Sequence, residues 1–201
     1  STNFNFFFVP VDSNIECFNV YNLQSKNDIF YAMSHGVNRG VLKEGKFDNR
    51  EIFIDKLMRK IPNIRFDLYG MKKSQPVWAD NYVNAISQSK IGLNLSQGRA
   101  VKYYSSDRFA QLIGNGLLVM IDKKTKFDDF FTNKEIVFYK DINDLATKIT
   151  KYSNDDKARN LIAKKGRDKY FKYFNSTNVA EFIINKSFNI ESKKFFWENK
   201  K

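Results

Sequence analysis

The sequence predicts an α/β domain in which a parallel β-sheet is covered by helices on both faces. Short apolar runs alternate along the chain with longer segments whose apolar positions follow the 3.6-residue period of a helix. Strands that alternate with helices in this way are joined by crossover connections, which make neighbouring strands parallel. A chain of 201 residues, 42% of them hydrophobic, can bury one large core. We therefore expect a single doubly wound domain.

The amino-terminal part of the chain is predicted to contain two strands with one helix between them. The first strand is the apolar run over residues 28–36, and the second is the run over 64–70. Residues 47–62 form the helix, because Asp48 and Glu51 have the spacing of a capping box ahead of an apolar stripe. These segments make up one β-α-β unit.

The middle of the chain repeats this order. A short helix over residues 80–90 leads into a strand over 91–96. A second helix, over 105–114, leads into a strand over 117–121. Gly116 allows the second helix to end sharply, so that the following strand can pass close to it.

The carboxyl-terminal part is predicted to be mostly helical. It begins with a helical turn over residues 126–131 and a fifth strand over 135–140. Three helices follow, one from Asp141 onward, one over 155–174 and one over 176–188. Asp141 and Ser176 are expected to cap the helices that follow them. The predicted organisation is a linker over residues 1–26, a Rossmann-like domain over 27–174, and a last helix with a basic, aromatic tail over 175–201.

The charge of the chain favours an anionic partner. Its formal net charge of +12 at pH 7 suits a phosphorylated ligand, a polyanion or the anionic face of a membrane. The lysines are spread along the sequence, as on an ordinary solvated surface. Charge alone therefore does not choose among these partners.

Composition limits the remaining classes of protein. With one cysteine, Cys17, and one histidine, His35, the chain has no disulfide framework and no zinc site, which favours a reducing compartment. No run approaches the roughly twenty apolar residues of a membrane-spanning helix, so we expect a soluble chain in the cytoplasm, including the inner face of the membrane. The aromatic-rich start has no capping element before it, which suggests a cut from a longer protein.

Three loops follow strands of the predicted sheet, at the edge where parallel sheets bind ligands. The first, over residues 34–46, combines glycines with Arg39 and Lys43, so backbone and cations could both approach a diphosphate. Its glycines match neither the dinucleotide fingerprint nor the P-loop, which argues against NAD binding and ATP hydrolysis. A solvated loop is the alternative, and His35 is more often structural than catalytic.

The other two loops offer contacts for the rest of a nucleotide. After the second strand, Tyr69, Gly70 and Met71 could stack on or flank a ribose or base, although such side chains could equally pack against the sheet edge. The third loop leads into the helix 105–114, whose unpaired N–H groups favour an anion, although a polar first turn is also ordinary capping. The candidate diphosphate ligands of this loop are Lys102, Ser105, Ser106 and Arg108.

In this order the segments resemble the C-terminal, donor-binding half of a GT-B glycosyltransferase. The opening FFVPVDSNIECF is similar to the linker before that domain, and YAMSHGVNRGVLKEGKFDNREIFIDKLMRKIPNIRFDLYG is similar to its first strand, basic glycine loop, helix and second strand. RFAQLIGNGLLVM is similar to the family's pattern of an arginine, an acidic residue and a glycine before an apolar strand. The likeness extends over nearly the whole chain.

The resemblance implies roles for individual residues. Gln111 stands where the family usually has the glutamate that holds the donor ribose, and Tyr103 stands where many members have the first glutamate of a pair. Arg39 and Lys43 stand where diphosphate-binding cations are expected. Arg108 precedes Gln111 as in the subgroup that resembles spore-coat maturation glycosyltransferases. The amide of Gln111 carries no charge, unlike the family's glutamate. The resemblance therefore does not decide whether the sugar is transferred with retention of configuration or whether the donor is recognised in the usual way.

The resemblance also implies a reaction and its partners. A sugar would pass from a nucleotide-diphosphate sugar to a glycan, lipid or protein acceptor, as in the synthesis of bacterial cell-envelope polysaccharides. Fixed cations and helix N–H groups would stabilise the leaving diphosphate, so neither a metal nor a cofactor is expected. A separate N-terminal domain, absent from this sequence, would hold the acceptor.

Two interpretations without catalysis remain. The chain could be a basic module that binds nucleic acid, or one that docks on anionic lipid with Phe195, Phe196 and Trp197 in the membrane interface. The same three aromatic residues could instead pack against the absent domain. Nucleic acid is the less expected partner, because the basic residues are dispersed and no recognition motif is present.

Overall fold

In the part of the chain that the structure describes, five parallel strands form one sheet. The computed structural model describes residues 25–33, 49–72, 74–95, 100–104, 107–191 and 194–199. Strands β1 to β5 lie at Asn27–Ala32, Phe66–Tyr69, Ser89–Asn94, Leu118–Asp122 and Val137–Tyr139. Their order in the sheet is β2-β1-β3-β4-β5. The strand order reverses between β1 and β3, which makes this pair the topological switch point of the sheet.

Six helices and three short turns connect and cover the strands. Helices α1 to α6 lie at Asn49–Lys60, Ala79–Ser87, Asp107–Gly114, Ile142–Asn154, Asp156–Tyr173 and Ser176–Ser187. The 3₁₀ turns lie at Lys123–Thr125, Phe127–Asp129 and Phe196–Asn199. All counts refer to the described ranges.

Alternation of side chains along the strands produces two apolar cores, one on each face of the sheet. Ile29 and Tyr31 of β1 belong to the core that α1 and α4 cover, whereas Phe30 belongs to the core that α2 and α3 cover. Helix α5 contributes to both cores, through Ala163 on one side and Tyr170 on the other. The predicted doubly wound, Rossmann-like class is confirmed.

The start of β3 differs from the prediction. The strand begins at Ser89 rather than at residue 91, and α2 ends at Ser87. Ser89 is fully buried and pairs with Asn27 of β1, so a polar residue belongs to the sheet. From the sequence, the polar residues after Ser87 continue the amphipathic pattern of a helix. In the structure Ser89 belongs to β3 instead, because it pairs with β1.

The helix caps confirm one prediction and correct another. Asp141 caps α4, and its carboxylate accepts hydrogen bonds from the N–H groups of Asn143 and Asp144 at 2.8 and 3.0 Å. The prediction that Ser176 caps α6 is wrong. Asn175 is the cap, because its side-chain oxygen accepts the hydrogen bond from the N–H of Asn178 at 2.9 Å.

Helix α3 ends in the sharp turn that the glycines predict. Gly116 has φ 82°, a left-handed conformation that favours glycine. The N–H of Gly116 donates to the carbonyl of Ile113 at 3.1 Å, and the N–H of Leu117 donates to the carbonyl of Leu112 at 3.1 Å. This pair of bonds is a Schellman motif, which turns the chain directly into β4.

The aromatic tail packs on the domain itself. Phe195 and Trp197 are only 4% and 3% exposed and contact Phe182 of α6 with ring centroids 5.4 and 5.5 Å apart. The expectation that these two side chains enter a membrane or face an absent domain is therefore wrong, because they cover the inner side of α6. No helix in the described ranges has the length and apolar character needed to cross a bilayer.

A buried carboxylate joins the amino ends of the central strands. Asp28 of β1 accepts hydrogen bonds from the N–H of Arg65 at 3.0 Å and lies 3.1 Å from the ammonium of Lys90 on β3. Lys90 also donates to the carbonyl of Ser153 at the end of α4. Burial opposes ionisation, but the Arg65 and Lys90 contacts outweigh it and hold the pKa of Asp28 below its ordinary value.

We expect Gly166→Ala to destabilise the fold. In a helix interior alanine is ordinarily more favourable than glycine by about 1 kcal/mol, so the expected effect has the opposite sign. A Cβ on Gly166, in the middle of α5, would overlap the carbonyl oxygen of Glu135. The predicted net loss in the free energy of unfolding is about 1–3 kcal/mol, measured by urea denaturation. Lys165→Ala, at the neighbouring exposed position, is the control and should change little. A Gly166→Ala protein that is more stable than the parent would contradict this close approach.

We expect Asp28→Asn to lower the free energy of unfolding at pH 7 by about 2 kcal/mol. A depressed carboxyl pKa stabilises the fold above the unfolded value of 3.8 and loses that effect as the pH falls through the lower folded value. The difference between variant and parent should therefore shrink below pH 3.8. Asp168→Asn, on the exposed side of α5, is the control. A difference that stays constant from pH 7 down to pH 2.5 would disprove the role of the charge.

Candidate functional site

Arg108 joins the carboxyl ends of β1 and β3. Its Nε donates to the carbonyl of Ala32 at 2.8 Å, and its Nη1 donates to that of Leu95 at 3.1 Å. The guanidinium carbon lies 4.8 Å from the ring centroid of Tyr31, within cation–π range. The second residue of α3 is thus fixed at the switch point of the sheet.

Two residues that sequence analysis did not select surround Arg108. Tyr31 supplies the ring beneath the guanidinium, and the half-buried Tyr82 of α2 packs edge-on against Phe30, with centroids 5.4 Å apart. Burial raises the pKa of Tyr82 to about 12, with the charges of Arg108 and Asp107 acting in opposite directions. Tyr31 is next to the end of its strand, which is the signal that could have identified it.

The loop before α3 is anchored to the turns after β4. Tyr103 has φ 60°, its N–H bonds to the carbonyl of Thr125 at 2.7 Å, and its hydroxyl donates to Asp129 at 2.6 Å. Burial, and then the hydrogen bond to Asp129, raise the pKa of Tyr103 to about 12. Tyr103 is therefore a neutral anchor at the position where the resemblance places a glutamate.

Lys102 lies beside this anchor and is exposed. Its ammonium is 4.6 Å from the ring centroid of Tyr103. Because Tyr103 is bonded to the turn that follows β4, Lys102 lies near the carboxyl end of that strand. The structure therefore places both described diphosphate candidates, Lys102 and Arg108, along the carboxyl edge of the sheet.

Of the three candidate ribose or base contacts that follow β2, two lie at the end of the strand and one is buried in the core. Tyr69 is half-buried at the end of β2, and its hydroxyl donates to Asp67 at 3.3 Å. Gly70 turns the chain with φ 71°, and its N–H bonds to the carbonyl of Gln75. Met71 is 2% exposed and packs in the core under α1, so its side chain does not face the edge of the sheet.

Gln111 lies one helical turn after Arg108. It is half-buried on α3, and its backbone carbonyl accepts a hydrogen bond from the side chain of Asn115 at 2.7 Å. Four other selected residues lie outside the described ranges, and their candidate roles stay predictions: Arg39, Lys43, Ser105 and Ser106.

The two ends of the sheet differ in their electrostatics. At the amino end, the carboxylate of Asp28 lies between two cations, Arg65 and Lys90, and offsets part of their charge. At the carboxyl end, Arg108 is held by backbone carbonyls, which carry no net charge. Among the described residues no three acidic, cysteine or histidine side chains come together as metal ligands. Positive charge at the carboxyl edge is therefore available to attract an anion.

Comparison with known proteins assigns the family. The profile of the family described as glycosyl transferase-like matches residues 49–185, and the chain belongs to that family. No curated protein matches the sequence. The matched residues include Arg108, Gln111 and Tyr69, so the resemblance predicted from the sequence is confirmed at the level of the family.

Solved structures agree with the fold. The crystal structure of TarM aligns with a TM-score of 0.56 at 15% sequence identity. The alignment covers 82% of this chain and 36% of the TarM chain. A sucrose-phosphate synthase from Thermosynechococcus elongatus has a TM-score of 0.56 at 15% identity, covering 91% of this chain and 49% of its own. At 15% identity these likenesses show the fold alone, which is the Rossmann-like arrangement of a parallel sheet between helices. The chain spans less than half of the length of either protein.

We expect Tyr103→Phe to lower the free energy of unfolding by about 1 kcal/mol, because Asp129 loses a hydroxyl donor. The ring contact with Phe130, at 4.9 Å between centroids, is retained in this variant. Urea denaturation measures the change, and Tyr152→Phe on α4 serves as the control. Equal stability of the Tyr103→Phe variant and the parent would show that this bond does not anchor the loop.

Proposed function

We propose that this chain is the donor-binding domain of a glycosyltransferase and that the diphosphate of a nucleotide sugar lies at the carboxyl ends of β1 and β3. The observation that carries the proposal is the position of Arg108, held by the carbonyls of Ala32 and Leu95. Ligands of open parallel sheets bind in the crevice at the switch point, which is where this side chain lies.

The chemistry of a guanidinium supports this role. The group has five N–H donors in a planar fork that matches phosphate oxygens, and the two backbone carbonyls use two of them. Those bonds and the ring of Tyr31 also fix its orientation. A preoriented cation costs less side-chain entropy on binding than a free surface lysine does.

Transfer of the sugar releases a nucleoside diphosphate. Negative charge then develops on the leaving phosphate, and fixed cations and helix N–H groups stabilise it. Arg108 and Lys102 supply charge, and the N-terminal turn of α3 supplies its partial positive charge. Arg39, Lys43, Ser105 and Ser106 complete the proposed diphosphate ligands, since the first two follow β1 and the others precede α3. No metal or cofactor is part of the proposal.

Other residues are assigned to the nucleoside. Gln111 is proposed to exchange hydrogen bonds with the ribose hydroxyls, and Tyr69 with Gly70 to flank the base. Met71 would support this turn from the core rather than touch the base. With a neutral amide at position 111, the domain holds the donor and another domain supplies any general base.

The whole reaction extends the proposal further. The acceptor is proposed to be a glycan, lipid or protein held by a second domain, with the active site between the two. Synthesis of a bacterial cell-envelope polysaccharide on the cytoplasmic side of the membrane fits a donor that is made in the cytoplasm.

Replacement of Arg108 by lysine tests the proposal. We expect uridine, guanosine or adenosine diphosphate to bind the parent chain in calorimetric or NMR titrations, and Arg108→Lys to weaken the binding by about 10–100-fold. The loss has a physical cause, since lysine keeps the charge but has three donors on one nitrogen, too few to bond two carbonyls and also bind a phosphate through two hydrogen bonds.

Arg167→Lys is the matched control. Arg167 donates from Nε to the carbonyl of Gly114 at 2.9 Å and lies 4.9 Å from the ring centroid of Phe171, so it has the same kind of contacts away from the proposed site. This variant should keep the nucleotide affinity of the parent. The proposal fails if no diphosphate binds the folded chain at millimolar concentration, or if both arginine variants lose affinity equally.

A further inference from the structure

A cavity of about 580 Å³ lies between β2 and α2, on the side of the sheet that faces α2. It runs beside β2 from Asn27, at the start of β1, to Tyr69, at the end of β2. Its volume is within the range of about 300–1,000 Å³ that is usual for small-molecule sites. The residues that line it are Asn27, Asp67, Tyr69, Ser74, Gln75, Pro76, Val77, Asn81, Asn84, Ala85 and Gln88.

The lining of this cavity contrasts with the charge of the protein. The chain carries a formal net charge of +12, yet the one charged side chain among these described lining residues is the carboxylate of Asp67. Among the described lining residues, a diphosphate or another polyanion would meet one negative charge and no cation. The cavity therefore suits an uncharged ligand.

Asp67 occupies an unusual position for a carboxylate. It pairs with Phe30 and shares that face of the sheet with the apolar core, where an apolar residue would be expected. Burial raises the pKa of Asp67, and the hydroxyl of Tyr69, 3.3 Å away, lowers it only in part. A polar group kept at a cost in stability is a typical feature of a binding site.

The rest of the lining matches the chemistry of a sugar. Five side-chain amides, of Asn27, Gln75, Asn81, Asn84 and Gln88, each offer two N–H donors and a carbonyl acceptor, and a sugar hydroxyl both donates and accepts. The carboxylate of Asp67 accepts from hydroxyls. Tyr69, Pro76 and Val77 provide apolar surface for the C–H face of a sugar ring.

We propose that this cavity binds an uncharged carbohydrate. The cavity adjoins the proposed nucleoside contact at Tyr69, which lines it, and is distinct from the proposed diphosphate position at Arg108. Arg108, Lys102 and Gln111 do not line the cavity. The proposal goes beyond the donor-binding function, because a carbohydrate could occupy the cavity whether or not a nucleotide binds at Arg108. It places a second, neutral sugar ligand on the same domain.

The double variant Asn81→Ala/Asn84→Ala tests the proposal. Both side chains are exposed on α2, and alanine is a better helix former than asparagine, so the variant is expected to fold. The probes are the neutral trisaccharides maltotriose, cellotriose and chitotriose. They are titrated at up to about 10 mM, which covers millimolar dissociation constants, and binding is followed by NMR shifts of the full chain. Asn143→Ala, at an exposed position on α4, is the matched control.

At least one neutral trisaccharide should bind the parent and the Asn143→Ala protein, and the double variant should bind it at least tenfold more weakly. Nucleoside diphosphate affinity should be the same in the double variant and the parent, and Arg108→Lys should leave carbohydrate affinity unchanged. These two comparisons separate failure of this site from failure of the donor site. The proposal is overturned if no trisaccharide binds, if the double variant binds as the parent does, or if an anionic hyaluronan tetrasaccharide binds more tightly than the neutral probes.

Discussion

The hydrogen bonds from Arg108 to the carbonyls of Ala32 and Leu95 determine how this domain presents its functional edge. They connect the first turn of α3 to the ends of two adjacent strands, at the point where the strand order reverses. The same contacts hold a permanent positive charge in the crevice where open parallel sheets bind ligands. One side chain therefore has this structural role and the proposed role of binding the diphosphate.

The two ends of the central strands are arranged for different purposes. At the amino end, Asp28 offsets part of the charge of Arg65 and Lys90 and joins β1, β3 and the turn before β2. At the carboxyl end, Arg108 is held by two backbone carbonyls, which carry no net charge. Beside β2, the one charged side chain among the described residues that line the cavity is the carboxylate of Asp67. The environments proposed for phosphates and for uncharged sugars thus differ within one domain.

The sequence predicted the fold well and the site in part, for physical reasons. Alternation of apolar runs and amphipathic segments is local information, and it identified all five strands and the helices between them. Ser89 was misassigned because its strand character comes from pairing with β1. Sequence analysis assigns Met71 to a ribose or base and Trp197 to a membrane or an absent domain, but both side chains are buried in the cores. Their burial depends on packing partners distant in sequence, such as Phe182 for Trp197. The position of Arg108 in the first turn of the predicted helix identifies it as a candidate, but its bonds to two strand ends depend on the tertiary fold.

A crystal structure of the chain with a bound nucleoside diphosphate tests the central claim most directly. The account predicts phosphate oxygens at about 3 Å from the guanidinium of Arg108, beside the carboxyl ends of β1 and β3. Phosphates bound in the cavity beside β2, or at the amino end of the strands near Lys90, would contradict it.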